Sequence, residues 1–207
     1  ELARHSPEVV AFSTTTQQHP FAEQCARWIK ATAPEIVTVA GGTHPTLAPE
    51  RVMANRDIDF ISTGEGEFPM LRLVERLEKG EDASDLQGFW VRKGDQIMRN
   101  PGEPLLEDLD IIPYADRELF DFATILARNG GWVDMMAGRG CPYQCSYCAN
   151  PGLLKKFRGL GKYVRYRSVE NVLGEIEQIV TTYKVTTLNF QDDVFTLDHD
   201  WTRAFCE

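Results

Sequence analysis

The chain has 207 residues and a formal net charge of −9, with 22 basic against 31 acidic side chains. This acidic balance argues against a protein that coats nucleic acid. Hydrophobic residues make up 43% and charged residues 26%, which is ordinary for a chain that buries a core and excludes wholesale disorder. No uncharged apolar run reaches the roughly 18 residues of a membrane helix, and the first residues lack a signal-peptide pattern. We therefore expect a soluble, cytoplasmic protein.

Residues 1–80 alternate short apolar runs with amphipathic segments, the pattern of an α/β domain with a parallel sheet. The apolar runs predict strands at residues 9–13, 36–40 and 58–63. Apolar residues at helical spacing predict the buried faces of two helices, formed by Phe21, Cys25, Trp28, Ile29, Phe68, Leu71, Val74 and Leu77.

Small polar residues and glycines follow each predicted strand. These turns contain Ser13 and Thr15, then Gly41, Gly42 and Thr43, then Gly64, Glu65 and Gly66. Because the carboxyl ends of parallel strands meet at one edge of a sheet, the three turns line the crevice where α/β folds bind ligands. Glycine in such a turn lets a large ligand approach the backbone closely.

Residues 81–131 show a weaker pattern. A small hairpin is predicted to turn at Lys93, Gly94 and Asp95, and prolines interrupt the chain that follows. We interpret residues 81–131 as a linker with a small hairpin between two domains.

Residues 132–207 return to strands and helices. A strand at 132–138 leads into a cysteine loop, Ser168 is a predicted N-cap of an amphipathic helix, and residues 185–190 predict a further strand. A closed parallel β/α barrel needs about 200 residues or more. We therefore expect only the N-terminal part of a barrel here, and a chain that continues beyond residue 207.

Three of the five cysteines form one tight group, with Cys141, Cys145 and Cys148 at Cys-x3-Cys-x2-Cys spacing. Three thiolates on one loop can hold three corners of a 4Fe-4S cluster and leave the fourth iron open to a substrate or cofactor. A structural zinc site is the alternative, but it needs a fourth ligand that this loop does not offer. Cys25 and Cys206 are remote, and we interpret them as small buried hydrophobic residues.

The cysteine loop resembles the signature of the radical S-adenosylmethionine (radical SAM) superfamily, in which an aromatic residue precedes the third cysteine, as Tyr147 does here. The resemblance implies a 4Fe-4S cluster whose open iron binds S-adenosylmethionine (SAM). One electron then cleaves SAM to methionine and a 5′-deoxyadenosyl radical. Tyr147 would contact the adenine or shape the loop.

A second segment resembles the cobalamin-dependent branch of that superfamily. Asp192, Asp193 and Phe195 match its Asp-Asp-x-Phe sequence, at the place where other members carry a Gly-Gly-Glu segment that binds the SAM amino group. The resemblance implies that Asp192 or Asp193 binds this ammonium group, and a solvated acidic turn is the alternative. Arg165, Arg167 and Ser168 also resemble that branch, although helix capping and surface charge explain them nearly as well.

The sequences GGTHPT and GEGE resemble the cobalamin-binding domain that precedes the radical SAM domain in this branch. The resemblance implies a partial Rossmann-like cobalamin-binding domain at 1–80, followed by the first β/α units of a partial TIM-type radical SAM barrel at 132–207. The residues implied to line the corrinoid site are Ser13, Thr15, Gly41, Gly42, Thr43 and Glu65. The Asp-x-His-x-x-G motif that supplies a cobalt ligand elsewhere is absent, and we interpret His44 as a backbone-organising residue rather than a ligand.

The resemblance predicts a cobalamin-dependent radical SAM enzyme that transfers methyl to an unactivated carbon or phosphorus of a small molecule. It implies a 4Fe-4S cluster, SAM and cobalamin as cofactors and a reductant such as flavodoxin or ferredoxin, without a nucleic-acid or membrane partner. Two alternatives stay open: an oxidative cyclase like the anaerobic magnesium-protoporphyrin ester cyclase, and a non-enzymatic corrinoid or metal carrier. An RNA-modifying role fits the charge of −9 less well.

Overall fold

A computed structural model describes residues 2–207 of the chain. The helices and strands follow one another in the order α1 (Leu2–His5), β1 (Val9–Ser13), α2 (His19–Thr32), β2 (Val37–Gly41), α3 (Thr43–Leu47), α4 (Pro49–Met53), β3 (Phe60–Ser62), α5 (Glu67–Glu78), β4 (Phe89–Lys93), β5 (Gln96–Arg99), α6 (Phe122–Arg128), β6 (Trp132–Met135), β7 (Gly138–Arg139), α7 (Asn150–Lys156), β8 (Arg165–Tyr166), α8 (Val169–Thr182), β9 (Thr187–Phe190) and α9 (His199–Cys206).

The chain forms two compact units. Unit 1 comprises the described residues up to Leu105 together with Tyr147–Gly161, and unit 2 comprises Leu106–Ser146 and Lys162–Glu207.

Unit 1 is built on a five-stranded sheet in the order β1-β2-β3-β4-β5. Strands β1, β2 and β3 are parallel, and the hairpin β4–β5 adds two antiparallel strands at the β3 side. The hairpin predicted at Lys93–Asp95 therefore forms, with Gly94 at φ +62°, but it extends the sheet instead of lying in a separate connection. Its inward side chains Phe89 and Val91 are buried in the core of unit 1, which explains this placement.

Alternate residues of the central strands face opposite sides of this sheet. Val39 and Phe60 pack with Leu73 of α5 on one side. Ala40 and Ile61 belong to a second cluster of buried hydrophobic residues on the opposite side. Apolar side chains cover both faces, as expected for an α/β domain whose sheet has a parallel part.

The predicted face of α2 is only partly correct. Phe21 and Trp28 are 70% and 59% exposed, and Cys25 is half-buried, whereas Ala22, Ala26 and Ile29 are buried. Small alanine side chains let a helix lie close to a sheet, so the packed face is rotated away from the largest apolar residues. In α5 the same rotation exposes Phe68 and Leu71, which were also predicted to be buried.

Unit 2 contains a parallel pair, β6–β9, and a short antiparallel pair, β7–β8. Its core joins Val133 and Met135 of β6 to Leu126 of α6 and Ile179 of α8. Ser168 caps α8 as predicted, because its Oγ accepts a hydrogen bond from the Asn171 backbone N–H at 3.0 Å.

Two further expectations for unit 2 differ from the structure. Cys206 is exposed on α9, not buried, because the apolar side of α9 is formed by Trp201 and Phe205, which stack at 5.4 Å. Arg165 is buried and Arg167 is half-buried, so neither is a surface charge. Among residues 2–207, no helix is long and apolar enough to cross a membrane.

Candidate functional site

The carboxyl ends of β1, β2 and β3 meet at one edge of the unit 1 sheet, which we call the strand-end edge; it comprises Ser13, Thr14, Gly41, Gly42 and Ser62. Ser13 lies opposite Gly41 in the parallel pair, and the Thr14 N–H donates to the Gly41 carbonyl at 2.9 Å. The Ser62 hydroxyl is buried and has no hydrogen-bond partner among the described residues. Because a buried hydroxyl without a partner is unfavourable, a water molecule or a ligand would complete the hydrogen bonding of Ser62.

Gly42 has a backbone conformation that only glycine adopts readily, with φ +93° and ψ −167°. A Cβ atom at this position would lie 2.8 Å from the Thr14 nitrogen and 2.9 Å from the Thr14 oxygen. The turns after β1 and β2 are therefore in close contact, and this contact requires that residue 42 has no side chain.

Two histidines lie beneath these turns. The rings of His19 and His44 are buried, with centroids 4.5 Å apart. His19 Nδ1 lies 3.4 Å from Thr14 Oγ1, and His44 Nδ1 lies 3.1 Å from Thr16 Oγ1. Within the part of the chain that the structure describes, neither Nε2 atom makes a hydrogen bond, although His19 Nε2 lies 3.4 Å from the Glu23 carboxylate.

Burial lowers the pKa of His19, and the nearby His44 and Arg51 add to this effect, while Glu23 opposes it. No sequence pattern selects His19 or Ser62, because a single His or Ser has no spacing pattern. The His44 backbone N–H donates to the Thr14 carbonyl at 3.1 Å, and its side chain is buried, not exposed.

The remaining residues predicted to bind the corrinoid lie in the same turns. Thr15 is exposed, and both its N–H and its hydroxyl donate to the Gln18 side chain at 3.1 Å. Thr43 is the first residue of α3, and the half-buried Glu65 lies between β3 and α5. Whether these three contact a ligand stays a prediction.

The cysteine loop begins directly after β7. Gly140 precedes Cys141 with φ +85°, and a Cβ atom there would lie 2.4 Å from the Tyr163 oxygen, so the loop starts from a closely packed backbone. Cys141 is buried in unit 2, and Cys145 is exposed there.

Cys148 belongs to unit 1, where its exposed Sγ accepts from the Asn150 N–H at 3.5 Å and from the Asn150 amide at 3.7 Å. Such N–H donors stabilise a thiolate and tune the potential of iron–sulfur clusters. Tyr147 beside it is 91% exposed.

Among residues 2–207, no three His, Cys, Asp or Glu side chains are gathered closely enough to hold a metal. The three cysteines have the right chemistry for an iron–sulfur cluster. In the described residues, however, they do not form a metal-binding group. Metal sites of this kind commonly order on binding, because ligation and loop folding are coupled.

The two aspartates after β9 differ in their surroundings. The half-buried Asp192 accepts hydrogen bonds from the backbone N–H groups of Ala137 at 3.0 Å and Gly138 at 2.6 Å. Burial raises the pKa of Asp192, while these amide bonds act in the opposite direction. Asp193 is exposed, and Phe195 packs against Phe190 with centroids 4.6 Å apart.

Several known proteins are similar to this chain. Residues 1–74 match the B12 binding domain family. An uncharacterized methyltransferase of Pyrococcus horikoshii is 29% identical over 198 residues, which cover 95% of this chain and 42% of that protein. The anaerobic magnesium-protoporphyrin IX monomethyl ester cyclase of Synechocystis is 28% identical over 210 residues, which cover 100% of this chain and 40% of the cyclase.

A solved structure shares the fold over nearly the whole chain. The radical SAM methyltransferase TsrM from Kitasatospora setae matches with a TM-score of 0.73 at 19% identity, over 99% of this chain and 40% of TsrM. The chain is a homologue of cobalamin-dependent radical SAM proteins. It spans about two fifths of the length of the curated relatives named above. Its α/β architecture is the one expected from the sequence.

The residues present are chemically suited to a corrinoid and an iron–sulfur cluster. The strand-end edge offers two closely packed turns at Gly42 and, at Ser62, a buried hydroxyl without a partner among the described residues, which suit a large ligand with polar groups. The cysteine loop offers three soft sulfur donors, which suit an iron–sulfur cluster.

Proposed function

We propose that this chain forms the cofactor-binding part of a cobalamin-dependent radical SAM enzyme that methylates an unactivated carbon or phosphorus of a small molecule. We further propose a cytoplasmic location and a protein reductant such as flavodoxin or ferredoxin. All five cysteines are free thiols, which a reducing compartment preserves.

The observation that carries this proposal is the occurrence of two candidate cofactor sites in one chain. The strand-end edge has closely packed turns with buried polar atoms, and the cysteine loop follows β7, shortly after the parallel pair β6–β9. In enzymes with β/α barrels, residues at the carboxyl ends of the strands carry the chemistry, and Asp192 and Asp193 lie at such an end.

Each bound group would supply a distinct part of the chemistry. The 4Fe-4S cluster held by Cys141, Cys145 and Cys148 would supply the electron for reductive cleavage of SAM, and cobalamin would supply a carrier for the methyl group. The chain's own part is to hold these groups and exclude water from them. Gly42 lets the corrinoid approach the backbone, and the Asn150 donors stabilise the Cys148 thiolate.

A second enzyme function has support from one relative. The Synechocystis cyclase named above aligns with the whole chain. An oxidative cyclisation with the same cofactors is therefore the alternative to methyl transfer. The two are distinguished by the product, because methyl transfer adds one carbon whereas oxidative cyclisation does not. A corrinoid or metal carrier would bind cofactors without cleaving SAM.

The test is electron paramagnetic resonance (EPR) of the full-length protein, reconstituted anaerobically with iron and sulfide and reduced with dithionite. We expect a four-iron signal that changes when SAM is added, together with formation of 5′-deoxyadenosine and methionine. Cys145→Ala should lose the signal. Cys206→Ala is the matched control, because it removes an exposed thiol outside the loop and should keep the signal. Bound zinc without a cluster would contradict the proposal.

A further inference from the structure

The two buried histidines of unit 1 come from different helices. His19 is the first residue of α2 and His44 is the second residue of α3, so each lies where the chain leaves the strand-end edge. Their rings are in contact, with centroids 4.5 Å apart and planes tilted by 39°. The contact therefore joins the turn after β1 to the turn after β2.

Both imidazoles hold the turn after β1, on either side of Thr15. His19 Nδ1 lies 3.4 Å from the Thr14 hydroxyl, and His44 Nδ1 lies 3.1 Å from the Thr16 hydroxyl. The backbone takes part as well, because the His19 N–H donates to the Thr15 carbonyl at 3.0 Å and the His44 N–H donates to the Thr14 carbonyl at 3.1 Å. The histidine pair thus determines the conformation of the segment Thr14–Thr16.

This arrangement suits uncharged imidazoles. Among residues 2–207, neither buried Nε2 atom has a hydrogen-bond partner, so protonating both nitrogens of a ring would bury an N–H⁺ group without a good acceptor. The charged groups around His19 come from three helices: Glu23 on α2, His44 on α3 and Arg51 on α4. Burial, with His44 and Arg51, lowers the pKa of His19, and Glu23 opposes them from 3.4 Å.

We propose that His19 and His44 are positioning residues that hold the Thr14–Thr16 turn ready for the corrinoid only while the pair is uncharged, so that protonation of His19 weakens cobalamin binding. A charged His19 ring is repelled by Arg51 and is stabilised by water, so it leaves the pair and releases Thr14. This inference rests on the proposed function, because it takes the strand-end edge as the corrinoid site. It adds control of that site by protons.

The sign of the effect follows from the lowered pKa of His19. Above its ordinary value of 6.5 the ring is neutral and affinity is complete. Affinity falls as the pH drops through the folded-state pKa, because cobalamin then binds only the fraction of the protein that has lost the proton. For one proton, the limit is about a tenfold rise in the dissociation constant per pH unit.

The first test measures the dissociation constant of the full-length protein for methylcobalamin by equilibrium dialysis between pH 8 and pH 5. We expect the wild-type constant to rise about threefold or more toward pH 5. His19→Gln should show no such rise, because glutamine stays neutral beside Thr14. His199→Gln, at the exposed start of α9, is the matched control and should follow the wild type. Any titration of methylcobalamin itself appears equally in all variants.

Two neighbours of His19 test the sign without altering the pair. Glu23→Gln removes the group that favours the proton, so the pH at which affinity falls should move lower. Arg51→Gln removes a repelling charge, so that pH should move higher. Arg51 is exposed and Glu23 is half-buried, so both variants remain testable if His19→Gln folds poorly. A merely structural role of His19 would not move the pH profile in opposite directions.

His44 is tested at pH 8, where the pair is neutral. His44→Ala should raise the dissociation constant about threefold or more, because Thr16 loses its partner, and His44→Gln should recover part of the affinity.

The inference is overturned if the wild-type affinity is the same from pH 8 to pH 5, if His19→Gln keeps the wild-type profile, or if Glu23→Gln and Arg51→Gln leave that profile in place. It is also overturned if His44→Ala binds as tightly as the wild type. Failure of the proposed function has a different result, in which the wild-type protein binds no methylcobalamin at any pH.

Discussion

The backbone at Gly42 requires both a positive φ and an empty Cβ position. We therefore expect Gly42→Ala to destabilise unit 1 by about 2–3 kcal/mol, from backbone strain and from the contact with Thr14. The same change should weaken cobalamin binding, because it forces apart two turns of the strand-end edge. Chemical denaturation and titration with cobalamin, followed by absorbance, measure the two effects.

Gly80 provides the matched control for this substitution. It has φ +66°, but a Cβ atom there would meet nothing within 4 Å. Gly80→Ala should therefore cost only about 1 kcal/mol and leave cobalamin binding unchanged. If both alanine variants bind cobalamin equally well, the strand-end edge is not the corrinoid site.

His19 gives unit 1 a defined pH dependence. Burial, with His44 and Arg51, lowers its pKa below the usual 6.5, and Glu23 only partly offsets this. The unfolded chain therefore takes up a proton at a higher pH than the folded chain does. The stability that neutral His19 provides is complete above pH 6.5 and is lost as the pH falls toward the folded-state pKa.

We expect the melting temperature of the wild type to fall more steeply between pH 7.5 and pH 5 than that of His19→Gln. Glutamine stays neutral across this range, so it removes the titration while keeping a polar side chain beside Thr14. His199→Gln, at the exposed start of α9, is the control and should follow the wild-type slope. Equal slopes for wild type and His19→Gln would show that His19 is not held neutral.

The sequence identifies the turns of the strand-end edge but not the buried polar atoms near them. Ser13, Gly41 and Gly42 could be identified from the sequence because they are small residues that end or follow apolar runs. Only such residues fit where neighbouring turns touch. The burial of Ser62 and His19 depends on contacts between distant segments, which no local pattern encodes.

The segments around α8 are joined by a buried charge network. Glu175, which is 8% exposed in its side chain, pairs with Arg117 at 2.8 Å and with Arg167 at 2.6 Å. Arg117 lies in a short 3-10 helix, Arg117–Leu119, and Arg167 follows β8. The network therefore fixes a stretch of the predicted linker onto unit 2.

We expect Glu175→Gln to destabilise unit 2 by about 3 kcal/mol, because it leaves two buried guanidinium groups without a counter-charge. Hydrogen exchange of the α8 amides and denaturant unfolding measure this loss. The exposed pair of Arg56 and Asp95, with side chains 79% and 86% exposed, is the control. Asp95→Asn should change stability by less than about 0.5 kcal/mol, and an equal loss in both variants would contradict the argument.

Strands were easier to predict than helix faces. The apolar runs at 9–13 and 185–190 locate β1 and β9 well, since a strand buried on both sides needs a continuous apolar run. The faces of α2 and α5 were misplaced, because a helix packs through whichever side fits the sheet closely, and small residues such as Ala26 fit better than Trp28.

For the molecule as a whole, the sequence predicts two cofactor sites, each at a separate motif. Each unit has its own hydrophobic core, with Val39 and Ile61 buried in unit 1 and Val133 and Ile179 in unit 2. The arrangement of three cysteines around a metal could not be derived in the same way, because the geometry of such a site depends on the metal itself.

Because the strand-end edge contains no cysteine, its affinity for cobalamin should not depend on a metal at the cysteine loop. We expect Cys145→Ala to contain almost no iron yet bind cobalamin within about twofold of the wild-type affinity. Gly42→Ala should show the reverse, with full iron content and weakened cobalamin binding. Iron analysis and absorbance titration on the same samples give both values. If Cys145→Ala loses cobalamin together with iron, residues of the strand-end edge are not sufficient for corrinoid binding, and the cluster must contribute to that site.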